Sequence, residues 1–197
     1  MVGFFASLPL GSALLATAPG PTARVAVTVY MVALLCGFGV SAAYHRVDWS
    51  PPIRLRMQVL DHSMTFVVIA GCYVPWCMLA LPSDQGRHLI IVVMIGAAIG
   101  VLLKLAAFHR LRWLGHALYL VLGYAMVMAL PNLATRLTAL QLFLVITAGL
   151  AYTVGFAVLV CRRPDPWPTV FGYHEVWHAL TMVAAGLHYT AVFTLGA

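Results

Sequence analysis

Long apolar blocks separated by short polar gaps make up most of this chain of 197 residues. Each block is close to the roughly 20 residues that a helix needs to cross the hydrocarbon core of a bilayer. Proline and glycine, which interrupt helices, are concentrated in the gaps. We therefore predict an all-α, polytopic membrane protein with a seven-transmembrane-helix bundle, its helices at approximately 2–18, 24–45, 58–81, 89–108, 113–130, 138–161 and 173–195.

The first block is the weakest of the seven. It is short, contains Pro9, and ends in Ala16-Thr17-Ala18, which resembles a signal-peptidase site. No Lys or Arg precedes its apolar run, however, and a proline would follow the cut, so we expect a retained first helix. No soluble domain or fixed-period repeat stands out, and residues 1–197 are predicted to form a single seven-helix membrane domain.

Composition and charge agree with a membrane protein and predict its orientation. Only 8% of the residues are charged and 63% are hydrophobic, whereas soluble domains are about 25% charged. The net charge of +6 does not indicate nucleic-acid binding, because the cations lie in gaps between apolar blocks, as they do next to lipid headgroups. The even-numbered gaps hold or border eight cations (Arg46, Arg54, Arg56, Lys104, Arg110, Arg112, Arg162 and Arg163) and the odd-numbered gaps hold three (Arg24, Arg87 and Arg136). The positive-inside bias therefore predicts a cytoplasmic amino terminus and an external carboxyl terminus, in what we expect to be a bacterial inner (plasma) membrane.

Two histidines near the start of the last block are spaced as metal ligands. His174 and His178 are four residues apart, so their rings lie on one face of the helix, one turn apart. The predicted topology places His45, at the end of helix two, at the same membrane depth. Three neutral imidazoles leave one position open in a tetrahedral site, which is typical of catalytic zinc. We therefore predict Zn²⁺ bound by His45, His174 and His178.

Two further polar residues are predicted at this depth. Asp61 lies near the cytoplasmic start of helix three, and Ser41 precedes His45 by one turn. A carboxylate beside a metal-bound water can accept its proton and pass it to a leaving group. A serine hydroxyl can stabilise a substrate carbonyl or its oxyanion. Asp61 and Ser41 are thus the predicted catalytic residues of a hydrolase that acts on an amide or ester in a membrane lipid, such as a sphingolipid.

Several motifs in this order resemble the hemolysin III family, which is related to the progestin and adipoQ receptors and, more distantly, to alkaline ceramidases. The resemblance covers about residues 37–192, and its motifs are Ser41-Ala42-Ala43-Tyr44-His45, Leu60-Asp61-His62, Ala70-Gly71-Cys72-Tyr73-Val74-Pro75, Tyr152-Thr153-Val154-Gly155 and His174-Glu175-Val176-Trp177-His178 with His188. It implies seven helices with the amino terminus inside and a zinc surrounded by Ser41, His45, Asp61, His174 and His178. The chain departs from the family in lacking a polar stretch before helix one, and in having Cys72 and Val74 where threonines are usual.

Other interpretations of the same residues stay open. The zinc could be structural, in a lipid-sensing, receptor-like or pore-forming protein that catalyses nothing. His174-Glu175-Val176-Trp177-His178 also fits H-E-x-x-H, in which Glu175 would be the general base of an intramembrane protease. His174 and His188 have the spacing of two haem ligands, but no other block has a matching pair. The sequence assigns no role to His62 or His188.

Overall fold

A computed structural model describes residues 1–195 of the chain. Its helices are α1 (Val2–Thr17), α2 (Gly20–Arg46), α3 (Pro51–Pro75), α4 (Ser83–Ala107), α5 (Arg112–Tyr124), α6 (Leu130–Arg136), α7 (Ala139–Cys161) and α8 (Tyr173–Leu195). A π-helical turn, Trp76–Ala80, follows α3, and a 3₁₀ segment, Ala125–Ala129, joins α5 to α6. Within residues 1–195, β structure is confined to an isolated bridge between Trp167 and Phe171.

The predicted class, an all-α polytopic membrane protein, is confirmed. Six helical stretches are long and apolar enough to cross a membrane, and Val2–Thr17 is a shorter apolar helix. Large apolar side chains face outward, as they do where lipid replaces water: Leu102 and Leu105 of α4 are 63% and 62% exposed. The predicted orientation of the termini and the single domain over residues 1–197 stay predictions.

Three predicted helix boundaries are wrong, and a proline lies at each. α4 begins at Ser83, directly after Pro82, rather than near residue 89. α3 begins at Pro51 rather than near residue 58, with prolines in its first turn, where the missing N–H would have no partner in the helix anyway. The fifth span does not stop at Leu130 but continues to Arg136. The backbone changes to 3₁₀ geometry before Pro131, so this proline falls in the first turn of α6 instead of inside a helix.

Pro75 ends α3 and is followed by the π-helical turn. The wider turn is closed by the N–H of Leu81, which donates to the carbonyl of Trp76 at 3.0 Å. Tyr73 connects this region to the irregular end of α5. Its hydroxyl donates to the carbonyl oxygen of Leu122 at 2.6 Å and accepts from the N–H of Met126 at 2.8 Å. These bonds satisfy backbone groups that the irregular turns release, as a membrane interior requires.

The chain divides into two compact units, Met1–Arg136 and Leu137–Leu195. In the first, α2 and α3 pack closely through small residues: a methyl group added at Gly71 would overlap the Cβ of Ala33. Small residues let helices approach closely where no water drives their association. The second unit is a helical hairpin of α7 and α8, in which Gln141 of α7 donates to the carbonyl of Thr194 at 2.9 Å.

Candidate metal centre

His174 and His178 form a close pair in the first two turns of α8. Their Nε2 atoms are 3.1 Å apart, their ring centroids are 4.6 Å apart, and both side chains are half-buried. The spacing of four residues thus places both rings on one face, as the sequence predicts.

The distance between the two nitrogens fits a shared metal ion. Zinc–nitrogen bonds of about 2.0–2.1 Å at a tetrahedral angle place two ligand nitrogens about 3.3 Å apart. The observed 3.1 Å is close to this value. The same distance also permits a hydrogen bond, if one ring carries its proton on Nε2 and the other on Nδ1. The donor set therefore suits zinc without identifying it.

Two acidic residues position the start of α8. The carboxylate of Glu175 accepts a hydrogen bond from the N–H of Gly172 at 2.9 Å, and Asp165 accepts one from the N–H of Tyr173 at 2.9 Å. These N–H groups lie at or just before the first turn of the helix, where intrahelical partners are missing. The side chain of Glu175 is exposed, and its carboxylate accepts the capping hydrogen bond from Gly172.

Trp177 packs against both histidines of the pair. Its ring centroid lies 5.5 Å from that of His174 and 4.5 Å from that of His178. A residue of α7, Gly155, lies next to it: a methyl group there would be 3.4 Å from the indole. Trp177 is not among the predicted site residues. Its place in the sequence between His174 and His178 could have indicated that it lies at the site.

The two predicted catalytic residues, Ser41 and Asp61, both lie in the first unit and contact each other. The hydroxyl of Ser41, on α2, donates a hydrogen bond to the carboxylate of Asp61, on α3. Both side chains are half-buried. This differs from the predicted role of Ser41 as a donor to the substrate, because its hydroxyl is engaged with the carboxylate. The arrangement fixes the orientation of Asp61.

Tyr119 of α5 supports the same part of α3. Its hydroxyl donates to the backbone carbonyl of His62 at 2.6 Å and is also hydrogen-bonded to Thr65. The ring of His62 turns back along its own helix, with Nδ1 2.8 Å from the carbonyl oxygen of Gln58. Tyr119 is not predicted from the sequence, although a tyrosine in an apolar helix commonly needs a hydrogen-bonding partner.

His45 is the next-to-last residue of α2. Its side chain is exposed, and its ring lies against Tyr44 with centroids 4.5 Å apart. His45 belongs to the unit Met1–Arg136, whereas His174 and His178 belong to the unit Leu137–Leu195. Joint metal binding by these three predicted ligands, the identity of the metal and any catalytic role stay predictions.

Comparison with known proteins identifies the family. A family model described as haemolysin-III related matches residues 1–189. The chain belongs to this family. Hemolysin-3 of Bacillus cereus is 25% identical over 171 residues, covering 87% of this chain and 75% of that relative. The Hemolysin-3 homolog of Bacillus subtilis (strain 168) is 26% identical over 158 residues, which cover 80% of this chain and 71% of that relative.

The haemolysin-III-related chain also has a plant relative. The heptahelical transmembrane protein ADIPOR2 of Oryza sativa subsp. japonica is 30% identical over 183 residues, covering 85% of this chain and 80% of the relative. The expected resemblance to the hemolysin III and adipoQ receptor proteins is thereby confirmed. It establishes a multi-pass integral membrane protein of this family.

Proposed function

We propose that this protein is a zinc-dependent hydrolase that cleaves an amide or ester bond in a membrane lipid, such as a sphingolipid. His45, His174 and His178 hold the ion, and Asp61 and Ser41 lie beside the reacting water. The proposed location is the inner membrane of a bacterium, in keeping with the Bacillus relatives. The lipid enters from the bilayer between helices.

The observation that carries the proposal is the paired histidine face of α8. Two imidazole nitrogens lie 3.1 Å apart on one half-buried face of a membrane span, a separation that suits a shared metal ion. In this proposal His45 supplies the third nitrogen ligand, and one position of a tetrahedral ion stays open for water or substrate. An incomplete protein shell is typical of catalytic zinc, whereas structural zinc commonly has four protein ligands.

Each nearby side chain then has a defined task. When bound, Zn²⁺ supplies a Lewis acid and lowers the pKa of water enough for attack at neutral pH. Asp61 accepts the proton of the attacking water and returns it to the leaving amine or alcohol. The Ser41 hydroxyl holds the Asp61 carboxylate in one orientation through its hydrogen bond. Tyr119 anchors the adjacent turn of α3 through the carbonyl of His62.

Exchange of Asp61 for Asn tests catalysis separately from metal binding. The amide has nearly the same shape but cannot accept the proton, so we expect turnover of a lipid amide or ester to fall by at least about 10²-fold. Zinc content should stay at the wild-type level, because Asp61 is not a proposed ligand. The measurement is release of fatty acid from defined lipids by purified protein, with the exposed His88→Ala variant as control.

The names of the relatives favour a second candidate function. The name Hemolysin-3 refers to lysis rather than to hydrolysis. In this alternative, the ion ties helices together in a pore-forming or lipid-sensing protein. Lysis or ligand binding that survives Asp61→Asn, in a protein without lipid turnover, would favour this alternative over the hydrolase.

A further inference from the structure

A buried lysine near the end of α4 has no hydrogen-bonding partner. The side chain of Lys104 is 1% exposed, and its Nζ atom makes no hydrogen bond. The ion pairs of Arg87 with Asp84 and of His62 with Asp61 do not involve it. An ammonium group removed from water without a counter-charge is strongly unfavourable. The position therefore calls for a negatively charged partner.

Aromatic rings surround the ammonium but compensate it only in part. Nζ lies 5.5 Å from the ring centroid of Phe108 and 5.2 Å from that of Tyr119. Phe66, which is fully buried, stacks on Tyr119 with centroids 4.4 Å apart. Ring faces attract a cation, yet they replace neither the hydrogen bonds nor the counter-charge that an ammonium group loses on burial.

The ammonium also lies against the amino-terminal turn of α5. A methyl group added at Gly115 would come within 2.6 Å of Nζ. The helix starts at Arg112 with no side-chain cap and no acidic residue in its first turn. Its first N–H groups thus have no intrahelical partner, and the helix dipole places partial positive charge there. Two positive groups thus lie close together, and one anion in contact with both would stabilise them.

Two more donors from the same turn point to the kind of anion. Arg112 interacts electrostatically with Lys104, and His116 interacts with both. This part of the molecule therefore brings together a guanidinium, an ammonium, an imidazole and the amino-terminal end of a helix. A tetrahedral anion with several oxygens matches such a set better than a single-atom anion does.

We propose that Lys104, Arg112, His116 and the first turn of α5 bind an anionic phosphate group. The group belongs either to the headgroup of a lipid in the adjacent leaflet, which is the cytoplasmic one in the predicted orientation, or to a small soluble phosphate compound. All parts of this site lie within Met1–Arg136. The site does not depend on the histidine metal centre or on the proposed hydrolysis.

Thermal unfolding in lipid nanodiscs tests the proposal. The three conditions are phosphatidylcholine alone, phosphatidylcholine with phosphatidylglycerol, and phosphatidylcholine with added inorganic phosphate. The variants are wild type, Lys104→Met and Arg87→Met, the last removing an exposed cation from the opposite end of α4. Methionine has a similar shape and removes the buried charge, so Lys104→Met should fold.

We expect phosphatidylglycerol or inorganic phosphate to raise the midpoint of unfolding of wild type by several degrees. Arg87→Met should keep this shift and Lys104→Met should lose it. A shift with phosphatidylglycerol alone identifies a lipid headgroup, and a shift with inorganic phosphate identifies a soluble compound. Equal shifts in Lys104→Met and wild type, or no shift in wild type with either additive, would overturn the proposal.

Native mass spectrometry gives a second measurement that does not depend on stability. Wild type and Arg87→Met should retain one more phosphatidylglycerol molecule, or one more phosphate, than Lys104→Met. Gly115→Ala serves as an independent variant, because its methyl group would occupy the space next to the ammonium. It should lose the same molecule. Equal retention by all four proteins would contradict the proposal.

Discussion

Individual polar side chains in the spans are satisfied by identifiable backbone groups. Ser7 and Ser63 donate to carbonyls one turn earlier on their own helices, at 2.7 Å each. Tyr73 and Tyr119 instead reach other helices, at 2.6 Å each. The hydrogen bonds of Tyr73 and Tyr119 connect helices that are far apart in sequence. Their loss should therefore affect the packing between helices rather than the stability of a single helix.

Tyr73→Phe tests this at the residue scale. The variant keeps the ring but leaves the N–H of Met126 without its partner, and the carbonyl of Leu122 keeps only the hydrogen bond from the N–H of Ala125. We expect the free energy of unfolding to fall by about 1–3 kcal/mol, the cost of leaving buried polar groups unsatisfied. Denaturant titration in detergent measures it, and Tyr124→Phe, at a ring that is 50% exposed, is the matched control. Equal losses in the two variants would show that the Tyr73 contacts contribute nothing specific.

At the scale of elements, the start of α8 combines a histidine pair with two carboxylate capping contacts. Its first residues carry the histidine pair, while Asp165 and Glu175 accept from the N–H groups that precede and begin the helix. The pattern H-E-x-x-H thus has a structural explanation here, in which the glutamate is a capping residue. A protease general base would need its carboxylate free to face the metal.

Glu175→Gln distinguishes these two roles. The amide oxygen of glutamine can still accept the hydrogen bond from Gly172, so the cap is largely kept. We expect zinc content and lipid turnover to match wild type. Turnover assays beside metal analysis test this, with Asp165→Asn as the parallel capping variant. Loss of turnover with zinc retained would instead support the protease interpretation.

The sequence is sufficient to predict the spans and the candidate ligands, but not the irregular backbone between them. Apolar length defines a span because the bilayer sets its size, and the four-residue spacing of His174 and His178 determines their shared face. Pro75 and Pro131 mark places where regular α-helical geometry is interrupted. The form of the interruption differs, because Pro75 precedes a π turn and Pro131 follows a 3₁₀ segment. Partners distant in sequence, such as Leu122 and Met126 for Tyr73, determine which form is adopted.

The contacts of Ser41 and Tyr119 were beyond sequence reasoning for a related physical reason. Helical periodicity gives the face on which a residue lies, but it does not give the rotation of neighbouring helices relative to that face. The engagement of Ser41 with Asp61, and of Tyr119 with the carbonyl of His62, depends on that rotation.

For the whole molecule, the distribution of cations predicts which ends of the spans face the cytoplasm. Fusions of alkaline phosphatase, which is active only outside the cytoplasm, test this. We expect activity from a fusion at the carboxyl terminus and after Arg87, and none from a fusion after Arg110. The reverse pattern would mean that the histidine pair of α8 lies at the external face.

Zinc analysis of the purified protein tests the central claim most directly. Wild type and the His88→Ala control should contain about one zinc per chain, as expected for a single site with three nitrogen ligands. The paired exchange of His174 and His178 for Ala should reduce zinc to background while the protein stays folded. An unchanged zinc content in that double variant, or a wild-type protein that binds no zinc when it is supplied, would contradict the account.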